Sequence, residues 1–190
     1  MSEKKFDPRK LNVLNDPSRL QDIPPDYIWY KLNTEPPRVI VDIGAGTGFF
    51  SVQFLQLARN AKIYACDTSE VMLNWMQENV CTEYPGIIPI KSQEKQIPLE
   101  EGIADLVYML NLHHELEDPQ TILAEAYRIL QARAHLFIVD WKKEEMSEGP
   151  PIRIRYKPER IAEQLHAAGF KDMNIFLEMP KHYLIKAKKG

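Results

Sequence analysis

Residues 38–48 read Arg-Val-Ile-Val-Asp-Ile-Gly-Ala-Gly-Thr-Gly, a β-branched apolar run that meets Asp42 and then breaks into Gly44, Gly46 and Gly48. The run reads as a buried strand and the glycines as a tight loop leading into a helix. In open α/β sheets that junction is where nucleoside cofactors bind. The glycine spacing narrows the choice. A dinucleotide fingerprint G-x-G-x-x-G starting at Gly44 needs a small residue at position 49, where helix and strand pack closely. Phe49 stands there instead.

Outward from this loop the chain alternates strands and helices. Phe50, Phe54, Leu57 and Ala58 fall on one helical face, and Lys62 to Asp67 gives a second strand ending on an acid. Thr68 or Ser69 caps the next helix, with Met72, Trp75 and Met76 expected on its buried side. Ile87 to Lys91 is a third strand whose Pro89 suits a sheet edge. Ala104 to Leu110 is a fourth. Asp118 and Pro119 then open a helix carried by Ile122, Ala126, Ile129 and Leu130. His135 to Asp140 is the fifth strand, and a helix from near Pro158 is stopped by Gly169. Met173 to Glu178 and His182 to Lys186 are joined by too short a turn for a crossover, so the last strand must run antiparallel. Ahead of the core, Pro24, Pro25 and Asp26 open a short helix bearing Ile28, Trp29 and Leu32.

The string from Asp42 to Gly48 resembles motif I of the class I S-adenosylmethionine-dependent methyltransferases. Ala104-Asp105-Leu106-Val107-Tyr108, followed by Leu112-His113-His114-Glu115-Leu116 and Arg128-Ile129-Leu130, resembles the matching segment of the ubiquinone/menaquinone-type small-molecule branch. The resemblance runs from about Val39 to Gly169. Two departures stand out: Glu115 follows the histidine pair, and Ala132-Arg133-Ala134 replaces the usual Pro-Gly-Gly turn before the fifth strand.

The resemblance implies an α/β, Rossmann-like class I methyltransferase fold, with a seven-stranded, mostly parallel sheet, an antiparallel last strand and helices on both faces. It implies one domain over 1–190, with a cap segment (1–37) ahead of the core (38–190) and lying over the cofactor pocket; a helix that only covers a sheet edge is the alternative. The cofactor is then S-adenosyl-L-methionine, met by Asp42, Gly44, Ala45, Gly46, Gly48, Asp67, Thr68, Met72 and Asn111. Asp67, nineteen residues past Gly48, stands where a carboxylate accepts from both ribose hydroxyls. Gln93 and Glu94 stand where the family carries the acid that accepts from the adenine amino group. Gln93 still offers a carbonyl oxygen, without the charge.

Asn111 lies where the fourth strand opens onto the methyl group, and His113 or His114 can take a proton from the acceptor. The competing reading is a histidine pair that only fixes the loop. Trp141 can stack on a planar acceptor and Lys142 can meet an acidic one; otherwise they are a packed indole and a solvated lysine.

A chain of 190 residues with 44% hydrophobic residues can bury a core. Met1 to Lys10 is charged and lacks a signal-like apolar stretch, and no segment suits a membrane span, so a cytoplasmic protein is expected. Cys66 and Cys81 are the sole cysteines, too few for a disulfide framework or a Cys/His zinc site, and no metal is expected. A net charge of -3 gives no footprint for nucleic acid. The expected activity is methyl transfer to a small-molecule acceptor by in-line displacement. A cofactor-binding sensor or scaffold without turnover is the alternative, and a nicotinamide-dependent dehydrogenase is disfavoured by Phe49 and by the closing hairpin.

Overall fold

The computed structural model describes residues 11–190. The first ten residues, read above as a charged stretch at the start of the cap, lie outside them. Three short helices come first: α1 (Leu11–Leu14), α2 (Arg19–Asp22) and α3 (Pro25–Leu32). The alternating part follows as β1 (Val39–Ile43), α4 (Phe49–Leu57), β2 (Lys62–Asp67), α5 (Glu70–Asn79), β3 (Ile87–Lys91) and β4 (Ala104–Leu110). A 3₁₀ turn at His113–Glu115 leads to α6 (Pro119–Ile129), β5 (Leu130–Trp141), α7 (Pro158–Ala167), β6 (Phe170–Phe176) and β7 (His182–Lys189).

The seven strands form one sheet in the order β3-β2-β1-β4-β5-β7-β6. The pairs from β3 to β5 are parallel, and β7 runs antiparallel to both β5 and β6. β3 sits at an edge, as Pro89 requires. Because helices cover both faces, alternate residues of each central strand are buried on opposite sides. Ile40, Tyr108, Phe137 and Val139 pack with α3, α4 and α5. Val41, Val107, Met109 and Ile138 pack with α6 and α7. The expected fold is therefore observed, with three changes of detail.

First, β5 starts at Leu130 rather than His135. Ala104 faces Leu130 while Leu106 faces His135, so the expected turn at Ala132–Ala134 is a bulge inside a continuous strand. Arg133 supplies its positive φ of 66° in place of a glycine. Second, β6 starts at Phe170, immediately after Gly169. The exposed Lys171 and the register break between Lys171 and Asn174 hide that start from a pattern reading. Third, α5 buries Met72, Leu73 and Met76, whereas Trp75 packs only partly against the core.

The residues before β1 lie across the α4 side of the sheet and reach the glycine loop. Ile28 and Leu32 of α3 are buried, and Trp29 meets Phe54 at a ring distance of 6.3 Å. Farther back, Asn15 Oδ1 accepts from Thr47 Oγ1 at 2.8 Å, and Arg19 lies 4.8 Å over the Phe50 ring. Lys181 ties this segment to the rest, with its ammonium 2.8 Å from Asp22 and 2.6 Å from Glu148.

Candidate active site

The turn after β1 places three glycines at positive φ: Gly44 at 77°, Gly46 at 56° and Gly48 at 75°. A side chain at Gly44 would strike Leu112 at 2.8 Å, and one at Gly48 would press on Met76 at 3.0 Å. The loop is thus clasped by β4's extension on one side and by α5 on the other. Its N–H groups are already used: Gly44 and Ala45 donate to the Cys66 carbonyl, Gly46 donates to Asp67 and Gly48 donates to Ala45. A pyrophosphate-binding loop needs such donors free and aimed at the ligand. The arrangement therefore argues against a dinucleotide, independently of Phe49.

Asp67 sits at the end of β2, half-buried. Its Oδ2 accepts from Gly46 N–H and its Oδ1 from Ser69 N–H, both at 2.8 Å. Burial raises its pKa, partly offset by these N–H groups. A carboxylate has about four lone-pair positions, so acceptor capacity remains. Thr68 follows on the exposed side, its carbonyl held by Lys91, and Met72 is buried at the start of α5 with its N–H on the Ser69 cap.

Asp42, expected at the cofactor, instead lies beneath the loop. It is 2% exposed, and its Oδ2 accepts hydroxyls from Ser51 at 2.6 Å and Tyr108 at 2.8 Å. It joins α4 to β4 and so shapes the loop from below. Burial pushes its pKa up to about 7, despite the two hydroxyls, which lower it. The folded protein thus holds a proton here that the unfolded chain releases at an ordinary carboxylate pKa. Stability is expected to fall, relative to an Asp42→Asn variant, as pH rises from about 4 to about 7. Thermal melts of both proteins across that range check it; parallel curves would remove Asp42 as the cause.

At the end of β4, Asn111 takes a positive φ of 53° and its buried Oδ1 has no hydrogen-bond partner. The two histidines that follow part company. His113 is fully buried, with Nε2 2.9 Å from Gln164 Oε1 and its ring edge-on to Tyr156. It belongs to the packing against α7, which is a correction to its candidacy as a base. His114 turns to the end of β5: its backbone N–H and its Nδ1 engage the two oxygens of Asp140 at 3.0 and 2.7 Å. An ionised carboxylate only accepts, so Nδ1 carries the proton and Nε2 the lone pair. Burial lowers the His114 pKa, but the bond to Asp140 and its charge outweigh burial and leave it raised. Asp140 is conversely held low by His114 in spite of complete burial.

Beyond Asp140, Trp141 is packed rather than open. Its ring centroid lies 4.2 Å from that of His182, Arg155 stands 5.4 Å over it, and a side chain at Gly149 would meet it at 2.8 Å. The stacking role read from the sequence is corrected accordingly. Lys142 is half-buried, its N–H on the Lys181 carbonyl. Gln93 and Glu94 lie exposed in the turn after β3, with Gln93 bridged to Gln96 through the backbone.

The family described as the methyltransferase domain matches residues 41–138, just over half of the chain. A solved structure of a SAM-dependent methyltransferase from Aquifex aeolicus superposes with a TM-score of 0.92 at 31% identity, covering 98% of this chain and 100% of that one. The chain belongs to the S-adenosylmethionine-dependent methyltransferases.

Two curated relatives agree. One, an uncharacterized chloroplastic methyltransferase of Arabidopsis thaliana, is 27% identical over 99 residues, 50% of this chain and 28% of that protein. The other, the malonyl-[acyl-carrier protein] O-methyltransferase of Geobacter sulfurreducens, is 28% identical over 96 residues, 50% of this chain and 35% of that protein. This methyltransferase spans about a third of the length of each. The dehydrogenase reading falls with the family, and nothing in the comparisons favours the binding-only alternative.

S-adenosylmethionine is the cofactor of this family, and the residues present suit it. The glycine loop leaves no room for side chains at Gly44 and Gly48, and Asp67 has spare acceptor capacity on one flank. On another, the Asn111 oxygen lacks a donor, which an ammonium-bearing ligand would supply. Sequence reasoning ended the fifth strand on Asp140 but missed its pairing with His114. The available signal was an acid ending the strand that lies beside the one ending in Asn-Leu-His-His. It also missed His182, which is 1% exposed and has both ring nitrogens without partners. No helix among the described residues is long and apolar enough to cross a membrane.

Proposed function

We propose that this methyltransferase, a single domain acting in the cytoplasm, transfers the methyl group to a small-molecule acceptor held at the carboxyl ends of β4 and β5. In this reading His114 removes the acceptor's proton and Asp140 is its positioning partner. The observation that carries it is the buried His114–Asp140 pair at 2.7 Å, one residue turn from Asn111 and from the Leu112 side chain that packs on Gly44. That places a tautomer-fixed imidazole on the same strand end as the glycine loop's wall. Asp67 takes the ribose hydroxyls; Thr68, Met72, Gln93 and Glu94 border the adenosine; Asn111 accepts from the amino-acid end. Gly44, Ala45, Gly46 and Gly48 give the loop its close approach, and Asp42 holds it from below.

The bound cofactor supplies a methyl group on a sulfonium, a good leaving group, for in-line displacement. The protein's share is chiefly alignment and exclusion of water. Effective molarities of about 10⁵ to 10⁸ M contribute roughly 7 to 11 kcal/mol, against about 10²- to 10⁴-fold from a base. Trp141 and Lys142 then act from behind the acceptor site, the first as a packed wall and the second as a nearby positive charge.

The test is binding followed by turnover. Calorimetry should give S-adenosylmethionine and S-adenosylhomocysteine micromolar affinities and NAD a far weaker one. Incubation with methyl-labelled cofactor and a source-cell extract should then label a small molecule. Label appearing only in protein or nucleic acid would overturn the acceptor assignment.

A further inference from the structure

Arg19 lies ahead of residues 41–138, the stretch matched by the methyltransferase family, yet α2 carries it back to the glycine loop. Its guanidinium stands 5.6 Å over the Phe49 ring and 4.8 Å over the Phe50 ring, the first two residues of α4. It donates to the carbonyl of Leu14, whose side chain a Cβ at Gly46 would meet at 3.4 Å. Arg19 is thus a neighbour of the loop in space.

Its charge has nothing to answer it there. The start of α4 is the positive end of the helix dipole, Gly48 caps it without a side chain, and its first turn holds no acid. A cation beside that end is repelled. Among the described residues no carboxylate forms an ion pair with Arg19: Asp16 and Asp42 attract it only through space, and burial favours the neutral form of Asp42. Burial lowers the guanidinium's pKa to about 10, which still leaves it charged at neutral pH. The ring faces of Phe49 and Phe50 offset part of the burial but carry no counter-charge. An anionic group would relieve both the helix end and the arginine.

The converse mismatch lies on the other flank of the loop. Asn111 Oδ1 is a buried acceptor without a donor, and Leu112, next to it in sequence, packs on Gly44. Arg19, Gly44, Ala45, Gly46 and Asn111 are each partly open to solvent, so the two groups flank an accessible stretch of the loop. An unanswered cation and an acceptor lacking a donor match a carboxylate and an ammonium carried on one carbon. The α-amino acid end of the cofactor has that pair.

We infer that Arg19 binds the carboxylate of S-adenosylmethionine and so makes the cap segment part of the cofactor site. This rests on the reading of Asn111 at the amino-acid end for the ammonium, and on Arg19's own surroundings for the carboxylate. The probes are S-adenosylmethionine and its decarboxylated form, which keeps the ammonium, titrated by calorimetry into the whole protein and into Arg19→Gln. Native protein should prefer the carboxylate-bearing ligand by about ten-fold or more, the effect of a hydrogen bond between charged groups. In Arg19→Gln that preference should collapse, while the decarboxylated ligand binds both proteins alike. Arg19→Met, which keeps an apolar stem over the phenylalanine rings, should show the same collapse and serves where the glutamine variant fails to fold. A native-sized preference in either variant would overturn the assignment. So would equal weakening of both ligands, which would mark Arg19 as a strut for the turn at Leu14, and so would native protein indifferent to the carboxylate. Asn111→Leu should weaken both ligands alike; if it weakens neither, the reading of Asn111 falls by itself, and the Arg19 comparison still decides the carboxylate site.

Discussion

Replacing His114 with alanine is expected to lower turnover by about 10²- to 10⁴-fold, the usual contribution of a positioned general base. Asp140→Asn should approach the same loss by a different route. The amide can donate toward Nδ1, which favours the tautomer with the proton on Nε2 and removes the lone pair from the side needed for catalysis. The pH profile separates the roles. Burial lowers the His114 pKa, and the bond to Asp140 reverses that, holding it above its ordinary 6.5. Since the base acts when neutral, the native rate should rise with pH through a midpoint above 6.5. In Asp140→Asn only the neighbouring Glu115 charge still opposes burial, and the midpoint should move down. A pair that merely orders the 3₁₀ turn would instead lower the melting temperature and leave the midpoint where it was.

Asp67→Ala is expected to weaken S-adenosylmethionine and S-adenosylhomocysteine by about 10- to 100-fold, the effect of leaving buried hydroxyls without an acceptor. The variant loses more than a ligand contact. Gly46 N–H and Ser69 N–H each lose the carboxylate at 2.8 Å, so the loop and the start of α5 should loosen together. Asp67→Asn retains one oxygen acceptor and should fall between native and alanine. Calorimetry, with thermal melts to gauge the loosening, decides it. Native affinity in Asp67→Ala would remove this residue from the nucleoside site.

The sheet was legible because its strands announce themselves locally. Val39–Ile43 is a β-branched run broken only by Asp42, between Arg38 and a glycine, and Pro89 marks an edge from sequence alone. What escaped were features that exist only across the sheet. Asp140 lies 26 residues from His114, and the two meet because β4 and β5 are parallel neighbours whose carboxyl ends lie side by side. Trp141 read as an open platform since nothing nearby in sequence shows that His182, on a strand running the other way, covers it. Asp42 read as a ligand because its place in the motif is fixed, whereas its direction is set by hydroxyls on α4 and β4. The bulge at Arg133 was hidden for a related reason, an arginine holding a conformation that sequence patterns credit to glycine.

The loop after β1 spends its own N–H groups on Cys66, Asp67 and Ala45, and it is braced by Leu112, Met76 and the Asn15–Thr47 bond. A cradle already satisfied in this way has little left to freeze when a guest arrives. Immobilising flexible groups is among the main costs that separate gross from net affinity. Here most of that ordering belongs to the folding of the chain itself, so recognition at the loop proceeds with the backbone preorganised.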